Sequence, residues 1–181
     1  MEKLLLVDGS NLLFQMFYGM PARILNAQGK PIQGTLGFVG ALLKIIRRVQ
    51  PTYVAVLFDG ECHNERRDID ENYKANREDF SQMAEEDTPF CQMPDVYRAL
   101  DHMGIRHAET TVCETDDWMA AYCHRYGQDT QIIIASQDSD FFSADYGKCA
   151  GVALSGGSFG CVGCCVHTRK VVHRSRSICG F

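Results

Sequence analysis

The sequence predicts an α/β fold with a parallel, doubly wound sheet, and three observations predict it. Short apolar runs rich in branched or aromatic residues recur along the chain. Segments of helical periodicity fill the intervals between them. Two of the runs stop at an aspartate and a third leads into a pair of them, Asp8, Asp59 and then Asp138 with Asp140. Strands that alternate with helices need crossover connections, and crossovers make neighbouring strands parallel.

Taken in order, Leu4 to Val7 and Tyr53 to Phe58 read as buried strands. Gly104 to Ala108 is a further strand after a helix, and Ile132 to Ala135 is another, leading into Ser136-Gln137-Asp138-Ser139-Asp140. Helices are expected over Leu36 to Val49, through Phe38, Leu42, Ile45 and Ile46, and over Pro94 to Met103, where the proline suits a first turn. A third runs from Thr115 to Tyr126 and stops at Gly127. The stretch from Gly60 to Phe90 breaks this pattern. It is highly charged, without apolar periodicity, and too long to be a mere connection.

A chain of 181 residues fits one α/β domain with a substantial apolar core and leaves no room for a second complete one. The apolar run at the N-terminus is far shorter than a signal peptide or a membrane helix, so a cytoplasmic protein with reduced cysteines is expected. The net charge of −5 hides an asymmetry: residues 1–142 carry −9 and the remaining 39 carry +4. So acidic a domain is not a general phosphate binder. A nucleic-acid role would need local basic groups and metal ions to offset carboxylate repulsion.

The candidate site residues are acids at predicted strand ends or in a first helical turn: Asp8, Asp59, Glu114, Asp116, Asp117, Asp138 and Asp140. Taken singly, each has a plain structural explanation. An aspartate after a strand caps helices and turns, acids in a first turn suit the macrodipole, and Asp138-x-Asp140 suits an Asx turn. Together they form a set that must either raise its pKa values or bind cations. Hard oxygen ligands suit Mg²⁺ or Mn²⁺, and two such ions can activate water and stabilise the leaving oxygen of a phosphodiester. Cys113 reads as a small core residue, His102, His107 and His124 as scattered surface or helix-packing groups, and Trp118 as packing its helix on the sheet.

The series Leu6-Val7-Asp8-Gly9-Ser10-Asn11, Ala55-Val56-Leu57-Phe58-Asp59, Tyr73-Lys74-Ala75-Asn76-Arg77, Glu114-Thr115-Asp116-Asp117 and Ser136-Gln137-Asp138-Ser139-Asp140 resembles the 5′→3′ exonuclease family. That family includes the N-terminal nuclease domain of bacterial DNA polymerase I and stand-alone relatives, within the flap endonuclease and PIN-like group. The resemblance covers about residues 3–142. It implies a PIN-like or resolvase-like nuclease core with a helical-arch insertion at about residues 60–90, through or beneath which a single-stranded 5′ end passes. Glu114, Asp116 and Asp138 would be direct or near-direct ligands of divalent metal, Asp117 and Asp140 would act through water, and Asp8 and Asp59 would line the same site. Lys74 and Arg77 would hold the scissile phosphate, Arg66 would be a third phosphate contact and Tyr73 would stack on a base. The plain alternative for the basic residues is a solvated helix face. The expected partner is DNA with a 5′ end or flap, bound by a monomer without a membrane.

The resemblance stops after Phe142. From Ser143 the chain holds five of its nine cysteines and seven glycines, with no convincing helix or strand period. One reading is a zinc-binding tail, since Cys161-x-x-Cys164 with Cys165, His167, His173 and Cys179 has ligand-like chemistry but matches no strong template. The other is a shifted reading frame. Codons for Ser143 to Ser158 can be chosen so that the frame one nucleotide later gives an alternating strand and a turn like those of the family. On that reading residues 143–181 do not pack, and the family's last metal acids and duplex-binding half are missing. Impaired activity is then expected. Two other functions stay open, a PIN-like ribonuclease and a non-catalytic DNA-binding remnant.

Overall fold

The computed structural model describes residues 2–60 and 88–136, together with the backbone of residues 150–153. Strand β1 (Lys3–Asp8) runs directly into helix α1 (Gly9–Gly19). Helix α2 (Gln33–Val49) and strand β2 (Tyr53–Asp59) follow. A 3₁₀ turn, Pro89–Gln92, leads into α3 (Met93–His102), then come β3 (Arg106–Thr110), α4 (Thr115–Tyr126), β4 (Gln131–Ser136) and β5 (Ala150–Ala153). The sheet order is β3-β2-β1-β4-β5 and every pairing is parallel. The expected parallel α/β fold is therefore the observed one. The arch expected at about residues 60–90 lies largely outside the described residues.

The period-two alternation of the strands divides the core into two layers. Leu5, Val7, Val56, Phe58, Ile133 and Ala135 face α1, α2 and α3, where Leu12, Leu13, Phe38, Leu42, Ile45, Val96 and Leu100 meet them. Leu6, Leu57, Ile132 and Ile134 face the other way, onto Met119, Cys123, Trp118 and Tyr122 of α4. Trp118 thus packs its helix on the sheet as expected. The central strands are apolar on both faces because helices cover both. Among the described residues no helix is long and apolar enough to cross a membrane.

The chain lays down β1, β2 and β3 outward in one direction, then returns past β1 to add β4. The order reverses between β1 and β4, and open α/β sheets bind ligands beyond the strand C-termini at such a switch point.

Four elements differ from the sequence expectation. Helix α1 was not among the expected helices. In the fold, Asp8 caps it by accepting the Asn11 N–H at 2.9 Å. Helix α2 begins at Gln33 rather than Leu36, and the buried side chain of Gln92 accepts the Thr35 N–H at 2.9 Å. That cap comes from far along the chain, so no local signal announces it. Strand β3 begins at Arg106 rather than Gly104. Gly104 takes φ +66° and closes α3, a left-handed conformation that favours glycine. Finally, β5 pairs Ile133 with Ala150 through Ser136 with Ala153, inside a segment expected to hold no strand. Ala150-Gly151-Val152-Ala153 has no alternation to read, and the ladder on the edge of β4 is made by backbone groups.

Two features hold the local geometry. A Cβ on Gly9 would lie 2.6 Å from the Phe58 ring and 2.8 Å from Val56, so α1 starts in close contact with β2 only because residue 9 is glycine. The loop before α2 is tied to α3 by Lys30, which bonds Asp95 at 2.9 Å, while Arg98 grips the other oxygen of the same carboxylate. Burial alone would raise the Asp95 carboxyl, but Lys30 and Arg98 outweigh it and hold it below the ordinary aspartate value.

Gly9→Ala is expected to cost about 1–3 kcal/mol through overpacking, read as a lower urea midpoint at unchanged slope. A carboxyl whose folded pKa is depressed stabilises the fold above its unfolded pKa and loses that contribution as pH falls through the folded value. The Asp95 contribution should therefore be complete at neutral pH and fade below roughly pH 4, where unfolded aspartate titrates. Urea titrations across pH should show that acid-side slope flattened in Asp95→Asn.

Candidate metal centre

The C-terminal edge of the sheet is assembled from residues that each strand delivers at its last position. Asp8 ends β1, Asp59 ends β2, Thr110 ends β3 and Ser136 ends β4. Helix α4 starts at the same edge, with Glu114 at its N-cap and Asp116 and Asp117 in its first turn.

Asp8 is held from two directions. Its Oδ1 accepts the Asn11 N–H at 2.9 Å and its Oδ2 accepts the Ser136 hydroxyl at 3.1 Å. Asp59 is held similarly. Its Oδ1 accepts the Thr115 N–H at 3.0 Å, and its own N–H donates to Ser10 Oγ at 2.8 Å. Asp59 therefore satisfies one of the orphan donors at the start of α4, a duty the Glu114 side chain does not perform. Beneath it, the buried Thr110 hydroxyl donates to Phe58 O at 3.2 Å and stands 3.5 Å from the Thr115 hydroxyl. Gly60 N–H donates to Thr110 O at 3.0 Å. A Cβ on Gly60 would come within 2.6 Å of that carbonyl, so glycine is required for the strand ends to stay this close.

The acid-rich turn of α4 is arranged as dipole chemistry favours, with Asp116 Oδ1 accepting the Asp117 N–H at 2.8 Å. Glu114 is only 8% exposed. A carboxylate that deeply placed needs partners or a cation.

Of the seven acids singled out from the sequence, Asp8, Asp59, Glu114, Asp116 and Asp117 stand at this edge, while Asp138 and Asp140 lie outside the described residues. So do Arg66, Tyr73, Lys74 and Arg77. Among the described residues no three carboxylate, imidazole or thiol groups stand close enough to hold an ion. The donor chemistry nonetheless fits a hard divalent cation, since the singled-out groups at the edge are carboxylates. In the same turn as Asp8, the buried Asn11 Oδ1 has no partner among the described residues, and it is another oxygen acceptor.

Sequence reasoning missed the hydroxyl groups of Ser10, Thr110, Thr115 and Ser136. Ser10, Thr115 and Ser136 stand inside the motifs, but nothing local says which acid each will meet. Cys113 is half-buried rather than part of the core, and His107 packs its ring on Tyr97 at 5.1 Å between centroids. A cavity of about 620 Å³ beside β3, lined by Ala55, Leu57, Arg106, His107 and Tyr122 among others, shares no residue with the acid edge.

A doubly wound parallel sheet that carries carboxylates at its switch-point edge defines a class, the α/β domains built to gather acids at one ligand-binding crevice. Within that class, residues 3–145 match the family described as the 5′-3′ exonuclease, N-terminal resolvase-like domain, and the chain belongs to that family. DNA polymerase I of Streptococcus pneumoniae is 34% identical over 143 residues, which are 77% of this chain and 16% of the relative. The 5′-3′ exonuclease of Bacillus subtilis is 30% identical over 142 residues, 77% of this chain and 46% of the relative. That of Mycobacterium tuberculosis is 29% identical over 147 residues, 76% and 45% respectively. The chain thus spans less than half the length of these relatives. A structure of bacteriophage T5 5′-exonuclease with bound divalent zinc shares the fold, with a TM-score of 0.61 at 24% identity over 84% of this chain and 55% of that one.

Thr110→Val keeps the shape but removes the hydroxyl that ties β3 to β2 and faces α4. It should cost about 1 kcal/mol and lower the melting midpoint by about 2–4 °C in calorimetry.

Proposed function

We propose that this domain hydrolyses DNA phosphodiesters at or near a 5′ end, as a 5′→3′ exonuclease or flap endonuclease dependent on two divalent ions, Mg²⁺ or Mn²⁺. The observation that carries the reading is the gathering of Asp8, Asp59, Glu114, Asp116 and Asp117 at the switch-point edge in a chain of this family. Residues 1–142 form the catalytic core in this reading.

Glu114, Asp116 and Asp138 would be direct or near-direct metal ligands, Asp117 and Asp140 would act through water, with Asp8 and Asp59 lining the same site. When bound, the ions supply an activated water and offset the charge on the leaving oxygen. The chain's own contribution is orientation. Asn11 and Ser136 fix the plane of Asp8, and Asp59 ties the acid turn of α4 to the end of β2. Lys74, Arg77 and Arg66 would hold the phosphate and Tyr73 would stack on a base. The name of one structural neighbour, a bacteriophage T5 flap endonuclease complexed with DNA and metal ions, supports DNA as the substrate class.

The test compares cleavage of a 5′-flap DNA, a single-stranded RNA and an unflapped duplex, with Mg²⁺ and with chelator. The expected outcome is Mg²⁺-dependent release of 5′ products from DNA. Asp116→Ala should lower it by at least about 100-fold, since losing a ligand costs more than losing an outer partner. Metal-dependent cutting of RNA alone would favour a PIN-like ribonuclease. DNA binding without metal-dependent cutting would mark a non-catalytic binding module.

A further inference from the structure

We infer that Ser136 is a positioning residue for the metal site, acting through the Asp8 carboxylate; the inference rests on the divalent-metal reading above. Ser136 is the last residue of β4 and is 2% exposed. β4 pairs with β1 in parallel register, Val7 opposite Ala135, so the next position of each strand brings Ser136 beside Asp8. The Ser136 hydroxyl donates to Asp8 Oδ2 at 3.1 Å across the point where the sheet order reverses.

Asp8 already serves α1, because its Oδ1 accepts the Asn11 N–H. A donor on the other oxygen restrains the plane of the group, and a carboxylate offers roughly four acceptor positions, room for donors and a cation together. A fixed plane matters because a cation site loses affinity when its oxygen donors must be reoriented on binding, and outer partners of ligating groups are worth roughly 10–100-fold in affinity.

The test uses the full chain, stripped of metal, and reads Mn²⁺ affinity by titration calorimetry alongside the melting midpoint in chelator. Ser136→Ala is expected to weaken Mn²⁺ binding about tenfold. Ser136→Thr, which keeps the hydroxyl, should bind like the parent. Ser136→Cys, nearly isosteric and a weak donor, should resemble Ala and covers the case in which Ala leaves the strand end underpacked. Parent-like Mn²⁺ affinity in Ser136→Ala and Ser136→Cys would overturn the inference, even if their melting midpoints fall, because a merely structural hydroxyl would move only the midpoint. A Thr variant as weak as Ala would overturn it too. A parent that binds no Mn²⁺ would overturn the metal reading together with this inference, whereas a parent that binds and variants that match it would overturn this inference alone.

Discussion

The carboxylate of Asp8 is the point on which the rest of the structure turns. It ends the central strand, caps the helix that follows, and receives a hydroxyl from the strand on its other side. These duties need α1 to leave the sheet immediately beyond β1 and to start against β2. Only glycine at position 9 permits that approach, given the Phe58 ring and Val56 beneath it. The same residue that lets the core close therefore lets the acid be held.

Charge sets the second constraint. Acids gathered at one edge repel one another in the absence of a cation, and among the described residues several hydrogen-bond donors meet them. Backbone N–H groups of Asn11, Thr115 and Asp117 each meet a carboxylate, and so does the hydroxyl of Ser136. These donors fix where the carboxylate oxygens lie, so the edge is ordered. Capping and metal binding are compatible readings of Asp8 and Asp59, because a carboxylate has acceptor positions for both.

Packing keeps this arrangement rigid. The two apolar layers sandwich β1, β2 and β4, so the strand ends cannot shift independently. Helix α4 is anchored through Met119 and Cys123 on one layer while its first turn is tied to Asp59. The Lys30 and Arg98 grip on Asp95 ties the loop before α2 to the first turn of α3.

Much of this was legible in the amino-acid order. Alternating apolar runs and helical periods gave the parallel α/β architecture, since those periods express which faces are buried. Acids at the ends of apolar runs gave Asp8 and Asp59, since a strand fixes where its last residue lies, and the acid-rich start of a helical period gave Glu114, Asp116 and Asp117. The order of motifs gave the family. Helix α1, the true start of α2, the position of Gly104 and strand β5 were not legible. Gly104 closes α3 locally, through its N–H to Asp101 O. The other three depend on a partner distant in the chain: β2 under Gly9, Gln92 above Thr35, the edge of β4 beside Ala150. The hydroxyls were hidden for the same reason. Ser136 and Asp8 are 128 residues apart in sequence and meet only because β1 and β4 are neighbours in the sheet. Sequence by itself determined which acids stand at the edge. The tertiary structure decided which donor holds each of them, because hydrogen bonds between strand ends exist only once the order and register of the sheet are set.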